Sequence, residues 1–207
     1  MESSSRIFVY KMTTDNGGAP CVQDGLLSLA ICKPMIRRKA NKGDWIIGLG
    51  GKKLGEGIIY AARVTGTAGY EYYQQRHFAS RPDCIYHFRH EELIRKNTAT
   101  YHADPGNMPK DIGAGPDYRN ARVLLSSDFR YFGEKRETAP PDLQLFADSI
   151  GRGHRVNHDP AGRQALTSLI AALWRRHAGK KQVGKPHSKP DATASCSRDE
   201  GTAECPG

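Results

Sequence analysis

Hydrophobic and polar positions along the chain fall into two regimes. From the N-terminus to about residue 135 the apolar positions come in short β-branched or aromatic runs, at Ile7–Met12, 45–49, 58–64, 84–88 and 123–126, each bounded by Gly, Asp, Asn or Pro. Runs of that length between turn residues predict strands. Lys42-Gly43-Asp44 before Trp45, and Gly50-Gly51-Lys52-Lys53 after Leu49, supply turn chemistry. They pair 45–49 with 58–64 through a Gly-rich connection. Beyond residue 140 the period changes. Leu166, Leu169, Ile170, Leu173 and Trp174 recur at helical spacing behind Asp159-Pro160, a capping acid followed by proline at the first helical position. A shorter helix is predicted over 142–150, where Leu143, Phe146 and Ile150 share a face.

Short helical stretches are expected near 35–40 and 70–76. The segment 98–120 holds Pro105-Gly106-Asn107, Pro109, Gly113, Gly115 and Pro116, too many breakers for a regular element, and reads as a long loop. The pattern as a whole predicts an α+β fold: a curved or barrel-like, mostly antiparallel sheet with two C-terminal helices packed outside it. Residues 1–177 form one domain. Residues 178–207, with Val183 as their single large aliphatic side chain, read as a disordered tail.

Composition narrows the function classes. The chain has 207 residues, 38% apolar and 26% charged, and no apolar run near the roughly 18 residues that cross a bilayer. No signal-peptide pattern opens it. Five scattered cysteines, an odd number, match neither a disulfide framework nor a zinc site, so the expectation is a cytoplasmic protein with free thiols. The net charge is +9, of which +8 belongs to residues 1–177, a balance that favours nucleic acid or nucleotide as partner. It is concentrated at Lys33, Arg37, Arg38, Lys39, Lys42, Lys52 and Lys53, with Asp44 as the only acid among them. On a helix Arg37 and Arg38 diverge by about 100°, so only part of this cluster can meet one phosphate backbone, and a solvated face is the competing reading. Trp45, Tyr60 and Tyr72 are candidates for stacking on bases, set against the ordinary role of strand aromatics as core.

Two residues invite nucleophilic chemistry. Cys32 ends the apolar run 27–31 and precedes Lys33 and two arginines, whose charge would favour a thiolate, the competent nucleophile. Asp15 lies in the turn Thr14-Asp15-Asn16-Gly17-Gly18 after the first strand, where it could orient a substrate or act as acid and base. The alternatives are a small buried hydrophobe and a turn-closing carboxylate. His102-Ala103-Asp104, His154 and Arg163 follow the order of an iron- and 2-oxoglutarate-dependent oxygenase, but His154 lies in a Gly-rich loop leading into a helix, not on a barrel strand. No metal site is therefore assigned. There is no phosphate-binding loop, and Gly48-x-Gly50-Gly51 lacks the helix a dinucleotide fingerprint requires. No cofactor and no oligomeric state can be read.

Six blocks in order, Phe8-Val9-Tyr10, Asp15-x-Gly17-x-Ala19-Pro20, Leu29-Ala30-Ile31-Cys32-Lys33-Pro34-x-Ile36-Arg37, Lys42-Gly43-Asp44-Trp45-Ile46-Ile47-Gly48, Ile59-Tyr60-Ala61-x-Arg63-Val64-Thr65 and Val123-Leu124-Leu125-Ser126-x-Asp128-Phe129-x-Tyr131-Phe132-Gly133, resemble the second type of nucleotide modification associated domain. The resemblance covers roughly residues 6–135. It implies a part in phage and bacterial systems that alter nucleobases, those of DNA being favoured, with Asp15 and Cys32 as the family's suggested catalytic positions. Where a Gly-Asp-Asn-Ile-Tyr block is expected, the chain has Pro82-Asp83-Cys84-Ile85-Tyr86. The order of turns and strands is also similar to pseudouridine-synthase-associated and modified-base-reader barrels, which bind bases without chemistry. An enzyme that uses Cys32 and Asp15 and a non-catalytic reader thus both follow from the sequence.

Overall fold

In the computed structural model, residues 5–151 and 153–191 are described. In chain order the elements are β1 (Ile7–Met12), β2 (Cys21–Gln23), β3 (Leu26–Leu29), α1 (Pro34–Lys39), β4 (Trp45–Gly50), β5 (Gly57–Arg63), β6 (Gly66–Ala68), β7 (Tyr86–Arg89) and β8 (Glu92–Arg95). They continue with α2 (Met108–Asp111), β9 (Val123–Ser126), β10 (Asp128–Tyr131), α3 (Pro141–Ser149), β11 (His154–Arg155) and α4 (Pro160–Arg176).

β1 explains the layering. Its side chains alternate between two apolar faces, so Phe8, Tyr10 and Met12 enter one core while Ile7 and Val9 enter another. It therefore sits inside a five-stranded sheet of order β10-β5-β4-β1-β11. The β1/β4 pair is parallel, and the other pairs are antiparallel. On the Ile7/Val9 face lie α3 and α4, which bury Leu143, Leu166, Ile170 and Leu173, with Leu169 and Trp174 packed against them. Asp159 caps α4 by accepting the Gly162 amide at 2.6 Å. On the Phe8/Tyr10 face lies a four-stranded antiparallel sheet, β2-β3-β9-β6. Behind it the hairpin β7-β8 and the segment from 98 to 121 form a third core around Ile31, Tyr72, Tyr86, Tyr101, Ile112 and Val123.

Gly48 shows how closely β4 and its neighbours approach, because a Cβ there would collide with the Tyr60 ring and with Met12 Sδ. Only glycine lets Tyr60 lie across the strand, where its hydroxyl meets that of Tyr10 at 3.0 Å.

Several expectations change. The sheets remain open among the described residues, with β10 and β11 at opposite edges of the larger one, so there is no closed barrel. The helical segment near 70–76 is two separate 3₁₀ turns, Tyr70–Tyr73 and Arg76–Phe78. Residues 178–191 are not disordered. Val183 N–H donates to the Tyr131 carbonyl, and Tyr131 N–H donates to the Lys181 carbonyl, each at 2.8 Å. The chain thus adds itself to the β10 edge. Backbone pairing at an edge needs no apolar side chains, which is why composition misjudged it. Residues 192–207 of the expected tail lie outside the described residues. No described helix is long and apolar enough to cross a membrane.

Candidate active site

The run Leu26–Leu29 continues as Ala30 and Ile31, both buried, and then turns sharply at Cys32 and Lys33 before Pro34 opens α1. Both turn residues are left-handed, with φ of 59° and 46°. Non-glycine residues avoid that region, at a cost of about 1–2 kcal/mol each, so two in succession need support from elsewhere. Arg37 supplies it. Completely buried, it donates Nε–H to the Cys32 carbonyl at 2.7 Å, and its terminal nitrogens donate to the carbonyls of Lys110, Asp111, Asn120 and Arg122 at 2.7–3.3 Å. All five guanidinium donors are thereby matched to carbonyl acceptors.

The strand–turn–helix geometry holds Cys32 half-buried with its Sγ 3.3 Å from His102 Nε2. On the other side of the ring, His102 Nδ1 lies 2.5 Å from Asp111 Oδ2. Tyr86 donates its hydroxyl to the same carboxylate oxygen at 2.8 Å, and Asp111 Oδ1 accepts the Cys32 amide at 3.2 Å. Burial, reinforced by Asp111, pushes the Tyr86 hydroxyl well above its ordinary range, so it stays a donor. His102, Asp111 and Tyr86 are each at most 2% exposed. A thiol, an imidazole and a carboxylate in that order form a nucleophile, its base and the group that orients the base. Cys32 is disulfide-bonded, which corrects the expectation of a free thiol there and assigns the nucleophile to the reduced protein. Among the described residues the free cysteines are Cys21 and Cys84, both buried.

Asp15 is also buried, but it joins a different set of groups. Its Oδ1 accepts the Tyr131 hydroxyl at 2.7 Å and its Oδ2 the His187 amide at 3.2 Å. Burial pushes this carboxyl up, and the Tyr131 bond pulls it partly back. Lys33, the residue after Cys32, places its Nζ 5.0 Å above the Tyr10 ring. Beside Asp15 opens a cavity of about 210 Å³, between the 16–22 turn, Tyr101, Tyr131 and the segment 182–190.

The sequence profile described as nucleotide modification associated domain 2 matches residues 4–192. The chain belongs to this family. Membership ties the protein to nucleotide modification and extends the matched region through the C-terminal helices and the 178–191 segment. No curated protein and no solved structure matches the chain.

For a member of this family, the remaining candidates are placed as follows. Tyr60 and Tyr72 are fully buried, the first on Tyr10 and the second stacked on Phe78 at 4.5 Å with its hydroxyl on Asp83. Trp45 meets Trp174 edge-on at 4.8 Å against the helix layer. Tyr60 and Tyr72 thus fill the interior and keep no open face for a base, whereas Trp45 is half-buried. The basic cluster also separates. Arg37 is inside, with its donors consumed, so it presents nothing to a phosphate. Lys42 precedes β4 while Lys52 and Lys53 follow it, about 17 Å apart along the strand. Arg38, Lys39 and Lys42 are exposed, and Lys33 is half-buried beside Cys32. Lys39 and Lys33 both hold His154 below its ordinary range, after burial as the larger cause, so they share one side of the molecule.

Asp111 and its pairing with His102 carry no local signal, because the two sit nine positions apart in a breaker-rich loop, and the His-x-Asp spacing of His102 points to Asp104, which instead accepts the Gly106 amide. The one available signal was the length of that loop. Among the described residues no group of three or more His, Cys, Asp or Glu is placed to hold a metal ion. The variant block 82–86 contributes Tyr86 to the Asp111 carboxylate. Its Asp83 accepts from Ser28 at 2.5 Å and pairs with Arg81 at 3.5 Å, bracing β3 from below the Cys32 turn.

Proposed function

We propose that the protein is a cysteine-dependent enzyme of nucleobase or nucleotide modification, with DNA as the favoured substrate. The observation that carries this reading is the continuous hydrogen-bonded line Cys32–His102–Asp111, on a left-handed turn that two consecutive non-glycine residues occupy. In the reduced protein the Cys32 thiol passes its proton to His102 Nε2, and the thiolate attacks an electrophilic sp² carbon of the substrate. The leaving group departs with the proton returned by His102. Water or a second nucleophile then releases the thioester-like intermediate and regenerates the thiol. Asp111 accepts the Nδ1–H of His102 and so keeps Nε2 facing the sulfur. Asp15 orients substrate from the adjoining cavity, and Lys33, Arg38, Lys39 and Lys42 meet phosphates. A non-catalytic reader draws less support, since Tyr60 and Tyr72 are sealed in the interior and Trp45 alone of the three is partly exposed.

Mass spectrometry of nucleosides from cells that carry the wild-type gene, Cys32→Ser or His102→Ala tests the reading. A modified nucleoside is expected with the wild type and should be missing from both variants. Its persistence in Cys32→Ser would remove thiol catalysis.

A further inference from the structure

The cavity beside Asp15 has the dimensions and chemistry of a ligand site distinct from the Cys32 line. Its volume, about 210 Å³, exceeds the roughly 150 Å³ that holds one benzene ring. Pro20, Val22 and Pro186 give it flat apolar walls, and the Tyr101 and Tyr131 rings close it. Two carboxamides supply polarity. Asn16 is a buried polar residue whose Oδ1 accepts the Gly18 amide at 3.2 Å, leaving Nδ2 without a hydrogen-bond partner among the described residues. Gln182 donates Nε2–H to the Gly184 carbonyl at 3.1 Å, leaving Oε1 likewise unmatched. A donor and an acceptor thus border one apolar slot. Gln182 is exposed and Asn16 lies at the inner end of the 16–22 turn, so both groups are reached from the mouth of the slot, where a few polar atoms on an apolar wall can orient a ligand.

We infer that this cavity binds a single-ring nucleobase of pyrimidine size, its ring between the proline and tyrosine walls and its polar edge on Asn16 and Gln182. A pyrimidine edge presents an acceptor and a donor side by side, the complement of the two carboxamide groups. Scaled from benzene, a six-membered ring with its two exocyclic groups matches this volume more closely than a two-ring base does. The inference rests on the reading of the protein as a nucleotide-modifying enzyme and adds to it the class of base. The chain itself links the two sites: Tyr101 faces the cavity and donates its hydroxyl to the Asn16 carbonyl, while the next residue, His102, at a left-handed φ of 53°, faces Cys32. A base seated in the cavity therefore presses on the segment that holds the catalytic imidazole.

Calorimetric titration of cytidine, thymidine and adenosine into the full chain tests this, using Cys32→Ser so that no chemistry intervenes. Both pyrimidine nucleosides should bind, with adenosine at least about tenfold weaker. Gln182→Leu, at an exposed position that leaves the fold undisturbed, should weaken the pyrimidines about tenfold, the equivalent of one hydrogen bond of about 1.4 kcal/mol. Val22→Phe, checked by its melting temperature, should fill the slot and abolish binding. A dC oligonucleotide that cytidine displaces would show that the base can arrive flipped out of a strand; binding of cytidine without the oligonucleotide would assign the site to free nucleosides and nucleotides. Three results would each overturn the inference: no pyrimidine binding at millimolar concentration, equal binding of adenosine, or unchanged binding by Val22→Phe. Loss of nucleoside modification by Cys32→Ser with pyrimidine binding intact speaks to catalysis and leaves the base site standing. The reverse pattern, active protein without binding, refutes the base site alone.

Discussion

Arg37 and Arg38 are adjacent cations in the same six-residue helix, and the structure assigns them opposite roles that one pair of substitutions separates. Arg37 is completely buried and gives its five N–H groups to five carbonyls, with Asp111 Oδ1 4.0 Å away. In Arg37→Met the stem is kept and the five bonds are lost. A bond from a charged donor contributes about 1.5–3 kcal/mol, and water can reach some of the freed carbonyls. If three of the five are resolvated, the remaining two still amount to about 3–6 kcal/mol, in line with the 3–5 kcal/mol typical of breaking a buried charge pair. For a chain of this size about 4 kcal/mol lowers the melting temperature by about 8–16 °C. Arg37→Lys should fall between, since one ammonium cannot span five carbonyls.

Arg38→Ala, by contrast, removes an exposed charge and should leave the melting temperature within about 2 °C of wild type. If oligonucleotide binding is measured over a series of salt concentrations, Arg38→Ala leaves one phosphate without its cation. The plot of log K against log salt should then flatten by about 0.9 on a duplex, or about 0.7 on a single strand. Arg37→Met, read below its own melting temperature, should leave that slope unchanged. The reasoning is refuted if Arg37→Met melts like wild type and flattens the salt slope as much as Arg38→Ala is expected to, for then the guanidinium faces solvent and phosphate.

Three further outcomes are expected. After reduction, His102→Ala should slow alkylation of Cys32 by iodoacetamide at pH 7 at least about tenfold, because thiolate formation loses its proton acceptor; an unchanged rate would break the link between sulfur and imidazole. Tyr86→Phe should cost about 1.5–3 kcal/mol in denaturant unfolding through the loss of a donor to a buried carboxylate, and a loss under about 0.5 kcal/mol would contradict that bond. His154 is held below its ordinary value, by burial first and then by Lys39 and Lys33, so the unfolded chain takes up its proton before the folded one does. Its contribution to stability is therefore complete above about pH 6.5 and lost as the pH falls through the histidine range; His154→Gln should flatten the rise in stability between about pH 5 and 7, and an unaltered slope would assign it to other groups.

What could be read from the sequence follows from how local each signal is. β1, β4, β5, β9 and both C-terminal helices announce themselves because their periodicity is set within a few residues and each feeds one of the shared cores. β6, β8 and β11, at two to four residues, carry too short a pattern, and they exist because an existing sheet or hairpin offers them an edge. Residues 178–191 are held for the same reason, by β10 and by the Ser188 amide donating to the Asp15 carbonyl at 2.9 Å. Composition measures what a segment can bury, and these segments are placed by what they can pair with.

The site was half legible for a related reason. Cys32 stands out by its neighbours in sequence, whereas its base is 70 positions away and its orienting carboxylate 79. Arg37 shows most clearly why local reading fails there: a run of basic residues predicts a charged face, but whether one of them points inward depends on carbonyls supplied by residues 110–122. The same guanidinium that holds the strained Cys32 carbonyl also gathers the loop that carries Asp111 and lies directly after His102. Folding of the loop, strain at the nucleophile and alignment of the imidazole thus depend on one buried cation. It follows that loss of activity in an Arg37 variant cannot be read as loss of a substrate contact unless stability is measured beside it, and that Arg37→Lys, which keeps the charge and loses the fork, separates the electrostatic part of that dependence from the geometric one.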